Sequence, residues 1–352
     1  MVITIIILLI LAGISIQAIT QNNLFEQAKK AKNATENSQK EENKTLSEYM
    51  DKMNEYIPET LASKVNSGEI AIGAYVKYIP DAIDVNSEEY KTLVSNWGKT
   101  YSGSESNSTS NIVQDTTLNW RILDVDEGKV RLISDKPTKN TVYLSGYQGY
   151  NNAVYLLDNT CSTLYNSKLV DNVKNIKIED ITKKMKTKSV TSDSEVLFKD
   201  VKYPSILGQE KEQQVNGNKE GKLGLSEQEK LINQENELTA TLNVKTTYWE
   251  KNMEENNFLD YKYYELFGNK DDKYYDAYFL SSRCIEINSD YIGFYVSRID
   301  KGRIYASIFY SSKGNYNGGN FSLRPIVTLN SNIQLDTTKS GEGTESNPFE
   351  IK

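Results

Sequence analysis

The chain has 352 residues, with 41 basic against 48 acidic side chains, a net charge of −7 and no histidine. That balance leaves no basic footprint for nucleic acid, and it removes both the commonest general base and the commonest transition-metal ligand. With 38% hydrophobic residues, 20 glycines and six prolines, the composition is that of a globular chain long enough for one large or two modest domains.

Residues 1–20, MVITIIILLILAGISIQAIT, carry no charged side chain, and 13 of the first 16 are Val, Ile, Leu, Ala or Met. No polar face is left to turn toward water. As a helix this stretch would reach roughly 30 Å, the thickness of a bilayer hydrocarbon core. The expectation is an apolar helix sheltered by lipid or by sibling helices. Ile3, Ile6, Ile7, Ile10, Leu11, Gly13 and Ile14 form its membrane or filament assembly surface, and Gly13 offers a neighbouring helix a close approach. The rival is a removed secretory signal, which calls for a basic start, whereas the first basic residue is Lys29.

Residues 21–57 contain neither Pro nor Gly and are rich in Ala, Glu, Lys and Gln, so the helix is expected to continue as an amphipathic half. Leu24, Ala28, Ala31 and Ala34, then Leu46, Tyr49, Met50, Met53 and Ile57, recur at three- and four-residue steps on one stripe. Pro58 stops it.

Residues 58–352 read as a globular head. An alternating run over 69–78 predicts a half-buried strand, and 101–111 is a Ser- and Asn-rich loop. Residues 118–125 and 129–134 predict a hairpin around Asp126-Glu127-Gly128. Val154, Leu157, Cys161 and Leu164 share one helical face, and a second short helix begins near Ile178. A charged surface excursion is expected at about 185–236. The last hundred residues predict an antiparallel sheet, with strands over 278–284, 293–299, 303–310 and 323–329 and a turn at Asp300-Lys301-Gly302.

Within the head, the loop 311–320 is the candidate ligand site. Tyr310 and Tyr316 are its stacking platforms, and Asn315 and Asn317 its hydrogen-bonding groups, against the plainer reading of a glycine-rich connection. Cys161 and Cys284 form either one disulfide or two free thiols. Arg283, Arg298 and Arg324 fall on predicted strands, either in ion pairs at the sheet rim or as anchors for a ligand carboxylate. No calcium-loop pattern is present, and no metal or cofactor is expected. Glu179 and Asp180, the one tight acidic pair in a helical word, point to different faces, so no catalytic residue is assigned and no enzyme is expected.

The words VITIIILLILAGISI and LFEQAKKAK resemble the N-terminal helix of the type IV pilin and pseudopilin superfamily as it occurs in clostridia-like Gram-positive bacteria. The head words YVKYIPD, WRILDVDEGKVRLIS, GYNNAVYLLDNTC, YFLSSR and LRPIVTLNS resemble a domain of secreted and pilin-like Firmicutes proteins and, at fold level, C-type-lectin-like and formylglycine-enzyme-like folds. The resemblance implies an α+β fold class: a long N-terminal α-helix, apolar then amphipathic, carrying a head with an antiparallel sheet that is C-type-lectin-like. It implies a structural subunit of a type IV pilus-like or pseudopilus filament at the cell surface. The alternative is a non-polymerising, membrane-anchored extracellular binding module of the lectin-like adhesion kind. Implied partners are copies of itself or other pilins, the assembly machinery, the membrane and a surface glycan or protein ligand, with no nucleic acid.

Overall fold

The computed structural model describes residues 30–35, 37–42, 44–45, 59–99, 111–186, 195–203, 228–232, 238–245, 251–267, 277–287, 291–315, 317–339 and 341–352. The chain divides into two units, Met1–Glu59 and Thr60–Lys352.

In the first unit, residues 30–35, 37–42 and 44–45 are helical and exposed. The Thr35 and Thr45 hydroxyls donate back to the carbonyls of Ala31 at 2.9 Å and Glu41 at 2.8 Å, a local satisfaction open to threonine inside a helix. The expected fold class, built on a long N-terminal helix that carries everything else, is corrected here. Among the described residues no helix is long and apolar enough to cross a membrane. The helical residues at this end are mainly Lys, Ala, Asn, Glu, Gln and Thr, a polar set with no lipid-facing stripe. Among the described residues the longest helix, Gly146–Leu164 with 19 residues, lies in the second unit, and two six-stranded sheets dominate. The transmembrane-helix and pilin expectations fall with that correction. Residues 1–20, with Ile3, Ile6, Ile7, Ile10, Leu11, Gly13 and Ile14, and the stripe from Leu46 to Ile57 lie outside the described residues.

The second unit opens with α1 (Leu61–Asn66), where the Thr60 hydroxyl accepts the Ser63 backbone N–H at 3.2 Å. β1 (Tyr75–Lys77) is shorter than the alternating run predicts, because Gly73, at φ +84°, turns the chain just before it. α2 (Glu88–Lys99) lays Tyr90, Leu93 and Trp97, three and four residues apart, into the core. β2 (Trp120–Asp126) and β3 (Lys129–Ser134) form a hairpin whose turn residues, Glu127 and Gly128, both take positive φ (48° and 76°), the turn hand that matches strand twist. β4 (Thr141–Ser145), α3 (Gly146–Leu164), β5 (Val170–Asn175) and α4 (Ile178–Thr182) follow. β6 (Glu195–Tyr203) and β7 (Leu238–Lys245) pair with each other. After β8 (Lys251–Asn252) and α5 (Tyr261–Phe267) come β9 (Tyr278–Ile287), β10 (Ile292–Asp300), β11 (Arg303–Ser311), β12 (Gly318–Ser322), β13 (Pro325–Leu329) and β14 (Phe349–Glu350). The β10–β11 turn repeats the earlier device, with Lys301 and Gly302 at φ 49° and 67°.

One sheet runs β14-β1-β2-β3-β13-β5 and the other β4-β12-β9-β10-β11-β8. Pairing is antiparallel except between β1 and β14 and between β12 and β9. Late strands therefore complete the sheet that the first strands begin. Two large hydrophobic clusters each draw on both sheets. The first holds Trp97, Trp120, Ile122, Leu156, Leu157, Phe279 and Phe294, and the second Leu123, Ile133, Phe258, Phe267, Leu280, Ile304 and Ile326. β2 serves both because successive strand residues face opposite sides, which sends Trp120 and Ile122 to the first cluster and Leu123 to the second. Among the described residues, no member of either cluster precedes Leu61.

Candidate functional site

The loop singled out from sequence is a tightly bonded connection. The Ser311 N–H donates to the Asn315 carbonyl at 3.1 Å, the Asn317 N–H to Phe309 at 2.9 Å, and the Gly146 N–H to Asn317 at 2.8 Å, which ties the loop to the start of α3. Asn315 and Asn317 are exposed, and Tyr316 lies outside the described residues. Tyr310 is 0% exposed and meets Tyr147 edge-on at 6.0 Å, so it is a core side chain and not a stacking platform. The reason lies across the strand pair: the β10–β11 register shifts between Phe294 and Tyr295, so Phe309 has no partner across the ladder and both Phe309 and Tyr310 turn inward.

Of the two alternatives for the cysteines, the structure has two free, buried thiols. Cys161 sits in the first hydrophobic cluster and Cys284 in a small separate one with Tyr295 and Ala306. Burial pushes the Cys161 thiol well up, with the Asp158 charge adding to it, which keeps it protonated and unreactive.

The structure instead gathers polar side chains at one face of α3. Val154, Leu157, Cys161 and Leu164 point into the core, and Tyr155, Asp158, Asn159 and Ser162, spaced i, i+3, i+4 and i+7, line a cavity of about 430 Å³. β5 contributes Asn172 and Lys174, two apart, to the same cavity, and Lys177, Gln228 and Glu229 complete its wall. The segment 228–232 is pinned by buried Asn152, whose amide donates to the Ile232 carbonyl at 3.1 Å and whose oxygen accepts the Ile232 N–H at 2.7 Å. Gln228 accepts the Tyr155 N–H at 3.2 Å and an Arg283 guanidinium N–H at 3.3 Å.

Asp158 is the chemical centre of this wall. The Asn175 N–H donates to its carboxylate at 3.2 Å. Burial pushes its carboxyl up to about 6, against the Ser281 hydroxyl and the charges of Lys177 and Lys174, which favour ionisation. The group is thus an anion at neutral pH with an open side, able to accept hydrogen bonds from a bound molecule.

A second acidic centre behaves differently. Asp124 takes a bidentate pair from Arg131 at 2.6 Å for each bond and a further bond from Lys184 at 2.6 Å, and Arg131 also reaches Asp180 at 2.6 Å. Burial would raise the Asp124 carboxyl, but Arg131 and Lys184 outweigh it and hold it below the usual range. These bonds run from β2 and β3 to α4 and the residues just after it, so this centre holds α4 to β2 and β3.

The three arginines resolve separately. Arg324 precedes β13 and is buried, donating to the carbonyls of Leu266 at 2.6 Å, Ser134 at 3.3 Å and Asp135 at 3.3 Å. Arg298 pairs with Asp300 at 3.1 Å and lies over the Phe321 ring at 4.5 Å. Arg283 is buried over Tyr150 and donates to the Asn151 carbonyl at 2.9 Å.

A smaller cavity of about 220 Å³ lies among Tyr75, Tyr78, Trp120, Asn119 and Glu345. Its aromatic wall is braced by an edge-on Tyr78–Trp120 contact at 5.1 Å and by the Tyr78 hydroxyl donating to the Tyr165 carbonyl at 2.6 Å. Among the described residues, no three His, Cys, Asp or Glu are grouped to hold a metal ion.

The α3 cavity was not singled out from sequence, although its signal was there. A polar stripe at helical spacing runs alongside the apolar one already noted in the same helix. Comparison with known proteins yields no match to a family model, to a curated protein or to a solved structure.

Proposed function

We propose that this chain is a structural subunit of a cell-surface filament, in which the opening apolar residues assemble with those of sibling copies and the Thr60–Lys352 unit is displayed. One observation carries the reading. Residues 1–20 hold no charge, and 13 of the first 16 are Val, Ile, Leu, Ala or Met. An uncharged stretch of that length gains by leaving water, and neighbouring copies supply equivalent apolar surface.

The test is surface shear fractionation with electron microscopy, comparing the native chain with Ile10→Lys. Filaments containing the native chain, and a loss of at least tenfold in incorporation of the lysine variant, are expected. Equal incorporation of both, or absence of the chain from every filament fraction, overturns the reading. A second reading, a surface-held binding module that does not polymerise, draws support from the polar cavity on α3. It predicts the chain solely in the non-filament fraction.

A further inference from the structure

The α3 cavity has a chemistry that narrows its occupant. Two carboxylates, Asp158 and Glu229, and two ammonium groups, Lys174 and Lys177, contribute to one wall. A simple anion would face the two carboxylates and a simple cation the two lysines, so neither gains a wall of one opposite charge. An apolar ligand would strip water from Asn159, Ser162, Asn172 and Gln228 without replacing the hydrogen bonds. Two classes remain, a small zwitterion and an uncharged molecule dense in groups that donate and accept at once, and the neutral Asn159, Ser162, Asn172 and Gln228 beside the Tyr155 ring favour the second.

Hydroxyls of a sugar ring meet that description. Each can donate to a carboxylate oxygen and accept from an amide or ammonium N–H. The half-buried Tyr155 ring supplies a surface for the C–H face of such a ring. The cavity volume, about 430 Å³, lies within the range of small-molecule sites, about 300–1,000 Å³. The wall is also preformed: the Asn175 N–H fixes Asp158 from beneath, and Asn152 pins the 228–232 segment at its side.

We propose that this cavity binds an uncharged saccharide, a hexose ring or the end of a glycan, with its hydroxyls shared among Asp158, Asn159 and Asn172 and its ring against Tyr155. The proposal does not depend on filament assembly, since both functional readings present the same unit.

The test uses the full chain in a detergent without a sugar headgroup. It is titrated by saturation-transfer NMR with the methyl glycosides of glucose, galactose, mannose and N-acetylglucosamine, and separately with inorganic phosphate and glycine. At least one glycoside is expected to bind saturably in the millimolar range, with affinity falling tenfold or more in Asp158→Asn and in Asn159→Ala. Thermal melts of both variants establish that they are folded, and Asn159→Ala carries the comparison where the Asp158 change perturbs the fold. Absence of saturable binding by all four glycosides, unchanged affinity in the folded variants, or preferential binding of phosphate or glycine overturns the proposal. Failure here leaves the shear-fraction result untouched, and the reverse also holds.

Discussion

Asp124 and Asp158 lie in the same unit, each beneath the surface and each close to basic residues, yet the protein treats them in opposite ways. Asp124 is met by Arg131 and Lys184 at 2.6 Å, and its carboxyl is held low. Asp158 accepts a neutral backbone N–H, feels Lys174 and Lys177 only through their charge, and is pushed up to about 6. The lesson is that contact geometry, not the mere presence of cations, decides whether burial of an acid is offset. The acid whose bonds are all internal joins elements of the fold, and the acid left with an open side faces a cavity.

The strongest way to break this contrast is to remove the guanidinium from the closed centre. Arg131→Met leaves Asp124 and Asp180 without their bidentate and bridging partner. Loss of one member of a buried pair costs about 3–5 kcal/mol. Urea unfolding followed by the fluorescence of the buried Trp97 and Trp120 reads this directly. The sign with pH follows from the low folded pKa of Asp124. Its stabilising contribution is present above the unfolded carboxyl value of about 4 and fades as pH falls through the lower folded value, so the Arg131→Met penalty should shrink in acid. A penalty that is constant with pH would mean the cluster acts by packing alone.

Asp158→Asn should give the opposite trend and a smaller effect. A carboxyl raised to about 6 in the folded chain binds its proton more tightly there than in the unfolded chain. The cost is absent below pH about 4, grows as pH rises, and is complete above about 6. Relative to the native chain, the variant should therefore gain stability between pH 4 and pH 7, by about 2 kcal/mol once the water on the open side of Asp158 is allowed for. Parallel unfolding curves at both pH values check it, and a relative stability that does not change would place Asp158 with the paired acids.

How much of this was legible in the sequence depends on the range of the interaction that decides each feature. The Gly128 and Gly302 turns were readable because a positive φ is a demand on one or two residues. The apolar face of α3 was readable because Val154, Leu157, Cys161 and Leu164 are neighbours within one helix. Its polar face became a site only when residues of β5 and of the segment around Gln228, from 14 to 71 residues downstream of Asp158 in the chain, closed around it, and no local pattern encodes that meeting. Tyr310 was misread for a related reason. The unmatched Phe309 upsets the two-residue alternation, and it depends on how β11 registers against β10, not on the residues of the loop that follows. Arg324 likewise looked like a rim charge, but carbonyls from β3, from the residue after it and from α5 converge on it in three dimensions. The apolar opening was legible as an environment, while the fold class inferred from it was not, because apolarity of residues 1–20 says nothing about the two sheets that follow.

The smallest and most discriminating change touches Asp158 through its hydroxyl partner. Ser281, at the centre of β9 and fully buried, favours the ionised form of Asp158 and also accepts from the Asn175 amide at 3.3 Å. In Ser281→Ala that amide keeps its 2.9 Å bond to the Phe279 carbonyl, so the loss falls mainly on the carboxylate. A hydrogen bond to a charged acceptor is worth about 1.5 kcal/mol, which corresponds to an upward move of about one pKa unit. The Asp158 carboxyl, followed by carbon-detected NMR, should then titrate near 7 instead of near 6, and the variant should be destabilised by about 1 kcal/mol at pH 8 but hardly at all at pH 4. The Asp124 carboxyl serves as the internal reference, since its bonds to Arg131 and Lys184 do not involve β9. If Asp158 stays where it was, the hydroxyl is not what tempers its burial, and the Asn175 N–H and the two lysines must do so instead.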